Sequence, residues 1–366
     1  MGHTRTFLQR DIPAIADLWL KVFRGRRPPA PPSLLQYFAE VFFANPWRDD
    51  GPGSLVYEDD AGRMAGFLGV MPRRMIFRGK PVRVAVSTQI MVDPERRCPF
   101  AAVQLQREFF SGPQELSFTD GANDVSRKLW EGLGGSVALM YSLEWTRVLK
   151  PTRHAAGILS ARKSLAGAML AAGPVCGILD SVASRLPFGP FRVRRTPLTC
   201  EETSVQMLHA CMGELGRQPS LRPAYDLDSL KWLLDMAQRK QAHGKFHKVV
   251  ARDAGGKIAG WYLFYLKRGG ASQVVQIGAR EGAAGDVLDA LFHDAARGGS
   301  TAVCGQFEPS FVRELSDRHC DFRCLSLGVL IHSRNNELLQ AILRGDATLS
   351  RLEGEWCLRF GRDQFN

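Results

Sequence analysis

The residues of this chain best placed to do chemistry lie within Ala85–Gly135. An alternating, β-rich run, Val84–Val92, ends at Asp93-Pro94 and a basic turn, Glu95-Arg96-Arg97. Phe100–Phe110 then carries apolar residues at helical spacing. A guanidinium beside the free N–H groups of a helix start, with the helix dipole behind them, suits an anion such as a diphosphate. Farther on, Asp120-Gly121 breaks a short strand, Leu116–Thr119, and a second helix, Asn123–Leu133, ends at Gly134-Gly135. Tyr141 and Glu144 fall on a further strand, Val137–Val148. Other chemistries find no support, because the chain has no Walker loop, no GxSxG, no HExxH and no complete zinc spacing. No metal site is expected.

Strand, loop, helix, strand, helix, strand is the order that positions these residues. It resembles the core of the GNAT (GCN5-related) acyl-CoA N-acyltransferases. The resemblance is carried by Val92-x-Pro94-x-x-Arg97 and by Asn123-x-x-Ser126-x-x-Leu129-Trp130-x-x-Leu133-Gly134, and the Asp11-Ile12-Pro13-Ala14-Ile15 opening is similar too. There are departures. The loop reads Arg97-Cys98-Pro99-Phe100-Ala101-Ala102, with Phe100 in place of a glycine and Pro99 lacking an N–H. Trp130 stands where many members carry a tyrosine that protonates the leaving thiolate.

The resemblance implies acetyl-CoA or another acyl-CoA as co-substrate and an amine as acceptor. It implies that the backbone of Ile90, Met91 and Val92 pairs with pantetheine. Arg97 and the loop formed by Cys98, Phe100, Ala101 and Ala102 would meet the diphosphate, with Asn123 opening the late helix of the same site. Such an enzyme needs a backbone N–H to polarise the thioester and a base to take the amine proton. Asp120, Tyr141 and Glu144 are the acceptor-side candidates in this copy.

A second copy follows. Val56–Val70, VYEDDAGRMAGFLGV, parallels Val250–Phe264, VARDAGGKIAGWYLF, in strand–turn–strand pattern. The later loop Arg280-Glu281-Gly282-Ala283-Ala284-Gly285 keeps an arginine and a glycine at the family spacing, and Tyr262 and Glu308 are its acceptor-side candidates. Acyl-CoA is expected in the first copy, which keeps both ends of the motif. The fold expected is α+β: two GNAT-like domains, each a mixed, mostly antiparallel sheet flanked by helices, at 1–150 and 199–366. A helical, partly apolar connector, 151–198, joins them.

Two other functions remain open. A non-catalytic tandem-GNAT binding or scaffold protein would explain Phe100 and Trp130. A FemAB-like aminoacyltransferase would also have two such domains and take an aminoacyl-tRNA, which the net charge of +11 would suit. That charge is not gathered into a run or interleaved with aromatics, which argues against a nucleic-acid interface. With 45% hydrophobic and 23% charged residues, the composition is that of a globular chain with a sizeable core, not a disordered one.

Eight irregularly spaced cysteines do not form a disulfide framework, and MGHTRTFLQRDIP has no signal-peptide core, so a reducing cytoplasm is expected. Within the connector, Leu165–Leu179 is a 15-residue run without charge, short of the ~20 residues that span a bilayer. It reads either as a helical hairpin bent at Gly173-Pro174 or as a segment lying on anionic lipid at the inner face of a membrane. Basic residues between 162 and 195 would flank it in the second case.

Overall fold

The computed structural model describes residues 2–25, 28–48, 52–96, 98–160, 173–185, 189–214, 219–324, 328–360, 363 and 365. The chain forms two compact units. Met1–Ser142, Pro219–Leu234 and Ser326–Asn366 make the first; Leu143–Gln218 and Asp235–Leu325 make the second.

In the first unit, β1 (His3–Thr6), β2 (Leu55–Glu58), β3 (Met64–Phe77) and β4 (Lys80–Val92) are antiparallel in turn, and β5 (Leu116–Ala122) runs parallel to β4. Antiparallel β15 (Gly328–His332) and then β6 (Ser136–Val137) complete the sheet, with β9 (Leu221–Pro223) paired to the far end of β3. Local chemistry sets the turns. Asp59 Oδ1 accepts from the Ala61 and Arg63 N–H groups between β2 and β3. Arg78 and Gly79, with φ of 48° and 81°, form the two-residue turn between β3 and β4. Alternation along β3 separates the faces. Phe67 meets Phe38 and Phe42 of α2 (Pro32–Phe42), which packs with α1 (Ile12–Trp19). Leu68 and Val70 instead join Leu105 and Phe109 of α3 (Ala101–Phe110) and Trp130 of α4 (Asp124–Glu131).

The second unit repeats the plan. From one edge its strands run β8 (Thr199–Glu202), β10 (Lys245–Arg252), β11 (Ile258–Leu266), β12 (Ala271–Ala279), β13 (Ala302–Gln306), β7 (Leu143–Val148) and β14 (Asp321–Cys324). Among the described residues its only parallel pair of strands is again the fourth with the fifth, β12 with β13. The hairpins β2–β3 and β10–β11 therefore hold the same places in their sheets, and the chain is α+β with two mixed sheets, as expected.

The division of the chain differs from 1–150, 151–198 and 199–366. Val137–Val148 is not one strand. A 3-10 turn at Met140–Ser142 interrupts it, and β7 beyond the turn pairs in the second sheet. Reciprocally, β15 follows β14 in sequence but pairs in the first sheet. Apolar alternation specifies a strand and its faces but not its partner. After the connector the chain enters β8, and the helix Val205–Glu214 follows it. Connector helices Pro151–Ser160 and Gly173–Arg185 belong to the second unit, where Thr152 donates to the Cys176 carbonyl and to Asp180. Most of the apolar run, up to 172, lies outside the described residues.

Candidate functional site

The parallel pairing of β4 and β5 covers Val84–Val86 opposite Leu116–Phe118. Beyond it the strands part. On β4 the register against β3 shifts between Phe67↔Met91 and Gly69↔Thr88, so β4 carries an extra residue there. Gln89 lies in this bulge with φ of +51°, a left-handed conformation costing a non-glycine residue about 1–2 kcal/mol. The Trp19 indole donates to Gln89 Oε1 at 2.7 Å and holds it. At the outer end Asp93 N–H donates to Ala65 O, so the intervening Val92 amide groups turn away from β3. Val92 thus offers its amide groups on the edge of β4 that has left β5, within the stretch Ile90–Val92 beyond the paired residues.

The Glu355 side chain bonds residues of both strands at this opening. Its carboxylate accepts from Thr88 Oγ1, from Thr119 Oγ1 at 3.2 Å and from Gln89 Nε2 at 3.4 Å. It is half-buried. Burial first, and the neighbouring Asp120 second, push its pKa up to about 7. Asp120 accepts from the Glu355 and Trp356 N–H groups at 2.7 and 3.3 Å. Two glycines make the fit close. A Cβ on Gly121 would lie 2.2 Å from Glu355 Oε1, and one on Gly354 would lie 2.0 Å from Asp120 Oδ2.

The segment carrying Glu355 is anchored on both sides. Phe360 packs against Tyr37, Phe38 and Phe42. Arg73, buried with its guanidinium 5.2 Å from the Trp47 ring and 5.6 Å from that of Trp232, donates to the Glu353 carbonyl. Burial pushes the pKa of Arg73 down to about 10. Burial also raises that of Glu353, whose carboxylate accepts from Tyr225 and Ser350.

At the start of α3 lies a cavity of about 660 Å³. Lys21, Arg63 and Arg96 line it, but so do Asp59, Asp60, Asp93 and Glu95. The charges are paired: Arg96 with Asp59 and Asp93 at 2.7 and 3.1 Å, Lys21 with Asp93 and Glu95, both at 2.7 Å. Asp59 lies well below the ordinary carboxylate range, held first by the Arg63 N–H and then by the Arg63 and Arg96 guanidiniums. Of the loop N–H groups expected to face a diphosphate, those of Cys98 and Ala101 donate within the loop, to Arg96 O and Cys98 O. Phe100 and Ala102 remain of that set. Arg97 lies outside the described residues.

Set against solved structures, the chain matches a conserved protein of unknown function from Enterococcus faecalis V583, described as a probable N-acyltransferase. The TM-score is 0.60 at 12% identity, covering 91% of this chain and 73% of that one. A GCN5-related N-acetyltransferase from Anabaena variabilis ATCC 29413 gives 0.60 at 12% over 92% and 73%. Eis1 from Mycobacterium abscessus gives 0.55 at 11% over 93% and 76%. This chain has the GNAT fold. No family model and no curated protein matches it.

On this GNAT fold the expected site residues separate. Asp120 and Ile90–Val92 come together at the opening between β4 and β5. Asn123 follows β5 directly and caps α4, its side chain accepting from Ser126 N–H at 2.9 Å. Trp130 is buried edge-to-face on Phe110, 4.9 Å between centroids. Tyr141 is fully buried and donates to the Ala347 carbonyl at 2.6 Å, which gives its hydroxyl a structural partner. Glu144 is on β7 in the second unit, buried and paired to Arg323 at 2.5 Å. Its assignment beside Asp120 assumed one continuous closing strand, which the turn at Met140–Ser142 breaks. Thr88, Gln89, Thr119 and Glu355 were missed. The sequence signal for Glu355 was faint: Glu353-Gly354-Glu355 inside a stretch, Leu349–Phe360, otherwise rich in apolar residues.

Proposed function

We propose that the first unit is an acyl-CoA-dependent N-acyltransferase whose general base is Glu355. The observation that carries this reading is a half-buried carboxylate with a pKa of about 7, fixed where β4 and β5 part. A base of that strength is close to half ionised at neutral pH, which favours taking a proton from an amine. The pantetheine arm of the donor would lie along Ile90–Val92 and present its thioester to the amine. The amine nitrogen attacks the thioester carbon, its proton passes to Glu355 directly or through a water, and CoA leaves as the thiolate. Asp120 is a positioning residue, since it holds the Glu355 backbone and raises the pKa of its carboxyl. Acetyl-CoA is the donor to try first, and the acceptor is an amine.

The test is thiol release from acetyl-CoA and longer acyl-CoAs with a panel of amines, comparing wild type with Glu355→Gln. Release that Glu355→Gln abolishes supports the proposal. Release that this variant leaves intact contradicts it.

One observation favours a second reading, a binding protein that does not use CoA. The cavity at α3 offers four carboxylates beside three cations, and two of its N–H groups are spent internally. A chain that no acyl-CoA or CoA stabilises in a thermal-shift titration would support that reading over the first.

A further inference from the structure

The helices Pro151–Ser160 and Gly173–Arg185 of the second unit carry more exposed apolar surface than their length explains. Fifteen large apolar side chains are exposed among the described residues, and five of them lie on these two helices: Ile158, Leu159, Ile178, Leu179 and Val182. Ile158 and Ile178 expose 62% and 67% of their surface. Ile178 and Val182 are four residues apart, so they share one helix face. Scattered single apolar residues need no explanation, whereas a cluster does.

The charge of the sequence that carries and follows the cluster is one-sided. Between residues 151 and 195 the chain has seven lysines and arginines and one acid, Asp180. Asp180 is buried and taken up by the Thr152 and Arg153 N–H groups. Arg153, Arg192 and Arg195 are exposed. Among the described residues no helix is long and apolar enough to cross a membrane.

We propose that this helical pair is a docking surface for an anionic lipid bilayer, on which the protein lies without spanning it. Apolar side chains would enter the boundary between headgroups and acyl chains, and the arginines would meet lipid phosphates. Charge selects this occupant over a second copy of the chain, because two such faces would bring like charges together.

Co-sedimentation of the full chain tests the proposal, using phosphatidylcholine vesicles with and without phosphatidylglycerol. Binding is expected only with phosphatidylglycerol and should weaken as salt shortens the screening length. Ile158→Glu with Ile178→Glu should lower binding at least tenfold while leaving the melting temperature unchanged, since both side chains already face solvent. Arg192→Gln and Arg195→Gln, outside the helices, should each lower it about fivefold and keep the proposal testable if the double variant fails to fold. Three results would overturn it: no binding to either vesicle, binding that neither the isoleucine nor the arginine variants reduce, or a dimer that the isoleucine variants dissociate in the absence of lipid.

Discussion

Both units order their strands alike and part the same two strands, yet the residues around the parting differ. In the first, the space beyond Val86 and Phe118 is lined by Thr88, Gln89, Thr119 and Asp120 and holds a titratable carboxylate. In the second, β12 and β13 pair as far as Val274↔Gly305, and aromatic rings lie against the glycines at that end. A Cβ on Gly305 would lie 2.5 Å from the Trp145 ring, and one on Gly278 would lie 2.2 Å from that of Trp261. The helix starts differ as well. That of α3 opens on a cavity. That of Ala284–Arg297 is packed by Arg318, whose guanidinium would meet a Cβ on Gly285 at 2.7 Å and which pairs with buried Asp289 at 2.8 and 2.7 Å. One scaffold thus carries a titratable carboxylate at the parting in one copy and, in the other, glycines covered by tryptophans of the flanking strands. The sheet provides position, and the residues at the strand ends set the chemistry found there.

The largest effect expected is on catalysis in the first unit. Glu355→Gln removes the base and should lower the rate of acyl transfer about 10²–10⁴-fold. In the second unit the largest effect should be on stability instead. Arg318→Met strands the Asp289 carboxylate in the interior and should cost about 3–5 kcal/mol in denaturant unfolding, with the acyl-CoA affinity of the folded fraction unchanged. A loss of affinity at full folding would break the comparison.

These predictions rest on residues of unequal legibility. The hairpins β2–β3 and β10–β11 were readable because each turn is local: Asp59 and Asp253 bond the amides two and four residues ahead. The cap at Asn123 was readable for the same reason. The exchange of β7 and β15 was not, because nothing in an alternating strand names the sheet it will join. Glu355 was unreadable because its partners Thr88, Gln89, Thr119 and Asp120 are between 235 and 267 positions away in sequence. No helix or strand periodicity marks the segment that carries it.

Smaller effects sharpen the account. Gly354→Ala forces Asp120 from its seat and should cost about 1–3 kcal/mol in thermal or chemical unfolding, with a rate loss that Gly285→Ala does not share. The pH dependence has a definite sign. Glu355 has a raised pKa, so the folded state holds its proton more tightly than the unfolded chain does. The contribution of this proton to stability is complete below its ordinary value of 4.5 and is lost as pH rises through about 7. Measured against Glu355→Gln, wild type should therefore lose on the order of 1–2 kcal/mol across that interval, allowing for partial exposure of the group. Over the same range kcat/KM should rise with pH to a plateau above about 7.

The central claim is that the first unit, and not the second, receives acyl-CoA at the parting of its parallel strands. A crystal structure of the protein with acetyl-CoA tests it most directly. The account predicts pantetheine along Ile90–Val92 and the thioester within reach of Glu355. Acetyl-CoA bound instead at Arg280–Gly285, with Arg318 displaced from Asp289, would contradict it.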